Sequence, residues 1–233
     1  MILKSLREDV LEANLELVRR GLVLYTFGNA SGISRSDALV VIKPSGVPYE
    51  GMKAEDLVVV DLEGKVVEGK LRPSSDLPTH LLLYKAFAEI GGVAHTHSRF
   101  ATAWAQAGRE IPCFGTTHAD YFHGPVPVTK LLTPKQIRSD YEVNTGHAIV
   151  RRFAKLDPLH MPGVLVAGHA PFSWGASPSE AAHAAVVMEE IAALATHTLT
   201  ANPKAQAISK HLLDKHFHRK HGSSAYYGQK KSK

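Results

Sequence analysis

His95 and His97 stand two apart in Val93-Ala94-His95-Thr96-His97-Ser98. Side chains alternate along a strand, so an extended backbone projects both imidazoles from one face, which is a metal-ligand geometry. An isolated H-x-H serves equally as two surface histidines on an edge strand, so a third nitrogen and an oxygen must decide. His169, just past the apolar run 163–167, and Asp76 in Pro73-Ser74-Ser75-Asp76 are the candidates. Three imidazoles and one carboxylate suit Zn²⁺ or another divalent first-row ion. These ligands arrive from separate segments without the short spacing of a zinc finger, which speaks for a catalytic site with room for substrate.

Three small-residue segments could hold an anion: Gly28-Asn29-Ala30-Ser31-Gly32, Lys43-Pro44-Ser45-Gly46 and Ser74-Ser75. Each reads as a turn beside a strand, rich in backbone N–H groups and hydroxyls, and phosphate is the fitting guest. Taken singly, each is a plain turn and Lys43 a solvated charge. A third group is Thr116-Thr117-His118-Ala119-Asp120-Tyr121-Phe122, where the acid could be a general acid/base, although a structural cap is the simpler reading. Glu142 and Tyr141 are equally ambiguous. His216, His218, Arg219, His221, Tyr226 and Tyr227 close the chain as a polar helix with a loose end.

Elements that alternate in type must position these groups. Leu6, Val10, Ala13 and Leu17 predict an amphipathic helix that Gly21 ends as a C′ glycine. Residues 39–42 and 57–62 are short β-branched runs, and Glu63-Gly64-Lys65 turns the second into Val66-Val67 as a hairpin. Helical spacing over 79–90 ends at Gly91-Gly92, before a strand over 93–97. Thr133-Pro134 opens a helix predicted to run to about 155, weakened at Asn144-Thr145-Gly146. A strand over 163–167 follows. Ser177-Pro178-Ser179-Glu180 is a capping box leading into an Ala-rich helix to about 199. The alternation predicts an α/β layered fold in one domain, 1–228, with a frayed basic tail at 229–233.

The chain has 233 residues, 44% hydrophobic and 21% charged, which excludes a disordered or collagen-like class. One cysteine, Cys113, rules out an internal disulfide and an all-thiolate zinc site. No window approaches a membrane span, and Met1–Val10 turns acidic before a signal-peptide core could form, so the expected compartment is the cytoplasm. The net charge of +5 is a property of the tail: residues 210–233 hold seven Lys/Arg against one acid, and the rest holds 20 against 21. A neutral body argues against duplex binding, for which a folded face would carry a basic stripe. Gly64 to Lys70 outlines a P-loop, but Leu71 replaces the Ser/Thr and the segment reads as a hairpin. No G-x-G-x-x-G, H-E-x-x-H or G-x-S-x-G sequence occurs.

The segments VLEANL, GNASG, VIKPSGVPY, VVVDLEGKVVEG, PSSDLPTH, HTHSRFATAWAQAG, GTTHADYF, MPGVLVAGHAPFSWG and KHGSSAYYGQ, in this order, closely resemble the metal-dependent (class II) aldolase/epimerase family and, within it, the L-ribulose-5-phosphate 4-epimerases. The resemblance implies a three-layer α/β/α fold with a central, largely antiparallel sheet. It also implies a homotetramer with sites shared between subunits. By position, Asp76, His95, His97 and His169 match the family's metal site, with zinc the expected ion. Gly28, Asn29, Lys43, Ser45, Gly46, Ser74 and Ser75 match its substrate and phosphate loops. Asp120 and Tyr227 match an acid/base pair delivered from an adjacent subunit, and Glu142 and His216 match supporting polar positions.

The implied substrate is a ketopentose phosphate, with neither nucleic acid nor membrane as partner. Its C4 is one carbon too far from the carbonyl for proton removal, so inversion there requires C3–C4 cleavage, rotation of the glycolaldehyde phosphate fragment and re-addition. Phosphate loops retain the fragment by its remote end, and two proton-transfer groups on opposite faces serve the C4 oxygen. The nearest alternative is a class II sugar-phosphate aldolase of the L-fuculose-1-phosphate type. Those aldolases carry a glutamate where this chain has Asp76, so the shorter acid and the HADYF segment favour the epimerase.

Overall fold

A computed structural model describes residues 1–222 and 225–228; the basic tail read at 229–233 lies outside the described residues. One seven-stranded sheet, antiparallel at every pairing, organises the chain in the order β4-β3-β2-β1-β5-β7-β6. The strands are β1 (Gly28–Ser34), β2 (Leu39–Ile42), β3 (Val58–Asp61), β4 (Val66–Glu68), β5 (Gly92–Thr96), β6 (Gly163–Leu165) and β7 (Pro171–Gly175). Helices α1 (Lys4–Arg19), α2 (Leu77–Ala86), α3 (Arg99–Gln106), α4 (Thr116–Ala119), α5 (Pro134–Arg138), α6 (Tyr141–Arg152), α7 (Pro178–Ala201) and α8 (Lys210–Lys220) complete the described elements, beside a short 3₁₀ turn at Ala54–Asp56.

Strand alternation builds the three layers. Ala30, Val41, Val59 and Ala94 face one way and meet Val10, Ala13 and Leu17 of α1 and Ala181, Ala182 and Ala185 of α7. Val40, Ile42, Val58, Val60 and Val93 face the other way and bury Leu77, Leu81 and Tyr84 of α2, with Ile149 of α6 behind. Small residues set the closest approach: a Cβ on Gly92 would lie 2.4 Å from the Ser177 carbonyl oxygen, and one on Gly32 would lie 2.7 Å from Pro178. The α1 stripe, its Gly21 stop at φ +70°, and the β3–β4 hairpin lie where the sequence puts them. At α7 the Ser177 hydroxyl accepts the Glu180 N–H, but Glu180 reaches back to the N–H of Ala176 instead of closing the box at Ser177.

Four expectations are corrected. Gly28 to Gly32 is not a turn but the first part of β1 in the middle of the sheet, pairing Asn29 with His95 and Ser31 with Ile42. Small residues there leave room for packed neighbours on both faces, which hides the strand from a reading based on β-branched runs. The helix opened by Thr133-Pro134 ends at Arg138 and restarts at Tyr141, because the chain turns at Ser139-Asp140. The Asn144-Thr145-Gly146 stretch is helical, and Gly146 lets Leu82 of α2 approach to 2.7 Å of where a Cβ would stand. α2 begins at Leu77 and stops at Ala86, with Phe87 extended, so the helix starts and ends earlier than the predicted 79–90. β7 was not anticipated: its Pro171 start and its Ser173 and Gly175 mask a strand buried on both sides.

Candidate active site

The His95–Asn29 pairing across β5 and β1 brings the metal-like and anion-like segments to one end of the sheet. His95 is buried, with its ring stacked on Phe172 at 4.2 Å between centroids. Its Nδ1–H donates to the Pro171 carbonyl at 2.9 Å, which fixes the tautomer and leaves Nε2 with a lone pair. That Nε2 lies 3.1 Å from Nε2 of His97, near the roughly 3.3 Å separating two imidazole nitrogens bound at about 2.05 Å to a tetrahedral ion. His169 completes the group: one nitrogen from each of the three lies within 4.8 Å of the others. His95 is buried, His169 half-buried and His97 exposed, so the cluster opens to solvent on the His97 side.

Burial favours the neutral form of His97 and His169. Burial first, then His95 and His97, push His169 down to about 4 against the pull of Asp76. Burial and His95 likewise lower His97. Nδ1 of His169 is buried without a hydrogen-bond partner among the described residues, and one nitrogen of that ring is within reach of the other two imidazoles. The donor set therefore fits a divalent ion.

Asp76 stands beside the three histidines without joining that tight group. Its Oδ2 accepts the Asn29 amide at 2.7 Å, and its carboxyl is held below the usual range: burial opposes ionisation, but His95, His80, Asn29 and His169 outweigh it. His80, four residues on and one helical turn away, was missed. It is fully buried at the foot of the site, its Nδ1 is 2.7 Å from the Ser31 hydroxyl, and that hydroxyl is 2.8 Å from Tyr84. Burial drives His80 down to about 3, and its Nε2 is unpartnered. The Asp76–His80 spacing on one helix face was the available signal. Tyr141, left ambiguous with Glu142, has its ring 6.0 Å from His169, whereas Glu142 is placed through its backbone carbonyl, which accepts the Thr79 hydroxyl.

The remaining anion-like segments converge. Ser74 donates its N–H to the Lys43 carbonyl, Ser45 its N–H to the Arg72 carbonyl, and Pro44 bridges Pro73. Ser45, Gly46 and Ser75 are exposed on this double loop, and Gly46 takes φ +67°. Lys43 is buried: its ammonium donates to Val47 O at 2.6 Å and lies 4.5 Å from the Tyr49 ring, and burial lowers it to about 8.

Asp120, His216 and Tyr227 form a separate group. Asp120 closes α4, and its carboxylate accepts from Arg219 and from His216 Nδ1 at 3.0 Å. Arg219 also sits 4.8 Å from the exposed Tyr227 ring. Among the described residues, no hydrogen bond or ring contact joins this group to the three histidines within one chain.

With this geometry in hand, residues 8–196 match the family described as Class II Aldolase and Adducin N-terminal domain. The chain belongs to that family. It is 54% identical over 228 residues, 98% of this chain and 100% of the relative, to L-ribulose-5-phosphate 4-epimerase UlaF of Salmonella paratyphi B. The protein of the same name from Salmonella typhi matches at the same identity and coverage. Among solved structures, an L-fuculose 1-phosphate aldolase superposes with a TM-score of 0.77 at 24% identity, covering 91% of this chain and 94% of that one. This likeness speaks for the fold. Class II aldolases are metal-dependent, in keeping with the three-histidine cluster. No helix among the described residues is long and apolar enough to cross a membrane.

Proposed function

We propose that this protein is an L-ribulose-5-phosphate 4-epimerase, interconverting L-ribulose 5-phosphate and D-xylulose 5-phosphate by C3–C4 cleavage and re-addition. The observation that carries the reading is full-length identity of 54% to epimerases of that name, with the three imidazoles at the site end of β5. His95, His97 and His169, with Asp76 beside them, would hold the ion, and zinc is the reading that the nitrogen-rich donor set favours. When bound, it supplies Lewis-acid stabilisation of the negative charge left on the ketone fragment.

The chain's own residues do the rest. Asn29 keeps the Asp76 carboxylate turned toward the histidines. The Lys43–Gly46 and Ser74–Ser75 double loop binds the phosphate and retains the aldehyde fragment while its reactive end turns over. Asp120 and Tyr227 are assigned the two proton transfers at the C4 oxygen, with His216 and Glu142 in support. Their separation from the histidines within one chain supports delivery from a neighbouring subunit, in keeping with the homotetramer with shared sites that the family resemblance implies. The test supplies L-ribulose 5-phosphate with and without chelator. D-xylulose 5-phosphate should form only with the ion present and without accumulation of glycolaldehyde phosphate; persistent free aldehyde would replace the epimerase by a lyase.

A further inference from the structure

A second group of metal-competent side chains lies away from this site, on α8 and on the segment that follows α4. Asp214 and His218 are four residues apart on α8 and so share one helix face, and His123 meets them from the body of the protein. One ligand atom from each lies within 4.8 Å of the other two. Nε2 of His123 is 2.8 Å from Oδ1 of Asp214, and the His123 and His218 ring centroids are 5.6 Å apart. The His123 ring packs on buried Phe217 at 4.6 Å, which holds the imidazole in place whether or not an ion is present.

We propose that His123, Asp214 and His218 form a second divalent-cation site that fastens α8 to the body of the protein. Two imidazoles and a carboxylate select Zn²⁺, Co²⁺ or Ni²⁺ over Mg²⁺ or Ca²⁺, which prefer all-oxygen shells. Binding displaces whichever proton bridges His123 and Asp214, and each of the two then turns a lone pair to the ion. His123 and Asp214 are half-buried and His218 is exposed, so water can fill the remaining positions. Lys210 pairs with the other carboxylate oxygen of Asp214, keeping Oδ1 free for the ion while weakening its pull. The site has a structural consequence: α8 also carries His216 and Arg219, which grip Asp120, so an ion here would steady that grip.

The test titrates Zn²⁺ into the full-length protein, already carrying its first ion, against a competing chelator. Native protein should take up about two ions per chain and the variants His218→Ala and Asp214→Asn about one, as three-ligand zinc sites do not survive loss of a ligand at chelator-limited metal. The second ion should raise the Tm of the native protein and of neither variant. Saturation at one ion in the native protein, or an undiminished second ion in both variants, would overturn the site. Uptake without a rise in Tm would overturn the fastening role.

Discussion

Arg219 grips Asp120 with two parallel hydrogen bonds, Nε to Oδ1 at 2.9 Å and Nη2 to Oδ2 at 2.6 Å. Burial alone would raise the Asp120 carboxyl, but Arg219, His216 and Lys220 together hold it below the usual carboxylate range. A bidentate guanidinium fixes the orientation of a carboxylate as well as its charge. If Asp120 accepts a proton from substrate, Arg219 is what keeps it ionised as the pH falls.

Arg219→Ala should therefore move the acidic limb of the kcat/KM profile to higher pH. The sign follows from linkage: a depressed folded pKa contributes stability present above the unfolded value of about 3.9, lost as pH falls through the folded value. Asp120→Asn should instead flatten that limb and lower kcat by about 10²- to 10⁴-fold with metal content intact. Metal analysis and pH profiles of both variants check this, and loss of the ion in Asp120→Asn would make Asp120 a ligand rather than an acid/base.

Asn29→Ala should weaken retention of the ion roughly 10- to 100-fold, the usual cost of losing a partner that orients a ligand. The amide of Asn29 is the described hydrogen-bond donor to the Asp76 side chain, and Asn29 is itself buried in β1 opposite His95. Equilibrium dialysis against a chelator reads the effect. Unchanged affinity would mean that Asp76 does not contribute to holding the ion.

Much of this arrangement was legible because period and chemistry coincide. The H-x-H pair works on any extended backbone, so the strand predicted over 93–97, found at Gly92–Thr96 with His97 just beyond its end, already turns both imidazoles to one face. β1 and β7 were hidden for the opposite reason. Gly28, Ala30, Ser31 and Gly32 carry little β-propensity, yet they lie in the middle of the sheet, where α1 and α7 pack close on Gly32 and the β5 backbone closes on Gly28. The grip of Arg219 on Asp120 spans 99 residues of sequence, and the Ser31 contact with His80 spans 49. Neither has a local pattern, since tertiary folding alone creates it.

Lys43→Met should raise KM for the phosphorylated substrate and lower kcat/KM about 10- to 100-fold, the worth of a charge-assisted hydrogen bond of about 1.5–3 kcal/mol. Burial lowers the Lys43 ammonium to about 8, so native kcat/KM should fall as pH rises through that value. The neutral amine keeps its bond to the loop but offers the phosphate no charge. For stability the sign is the reverse of an ion-paired lysine. The unfolded chain binds the proton up to about 10.4, so stability gains with pH between the two values. A KM that stays level through pH 8 while Lys43→Met still damages the enzyme would show that Lys43 only pins the loop through Val47.

Gly28 and Gly46 both sit at positive φ in the segments assigned to substrate, yet their alanine variants should differ. Gly46 at φ +67° has nothing within 4 Å of an added Cβ, so Gly46→Ala carries only the left-handed backbone penalty of about 1–2 kcal/mol. At Gly28 the φ is +131° and the new carbon would stand 2.7 Å from the carbonyl oxygen of His95 and 3.3 Å from Cα of Thr96. Those are backbone atoms of β5, held in register by the Gly28–Thr96 and Asn29–His95 pairs, so they can yield only by moving the strand that carries His95 and leads into His97. Gly28→Ala should lose the ion and activity together with stability, whereas Gly46→Ala should keep the ion and lose mainly phosphate affinity. Metal analysis beside thermal unfolding separates the two, and full metal content in Gly28→Ala would show that the histidine cluster tolerates a shift of its own strand.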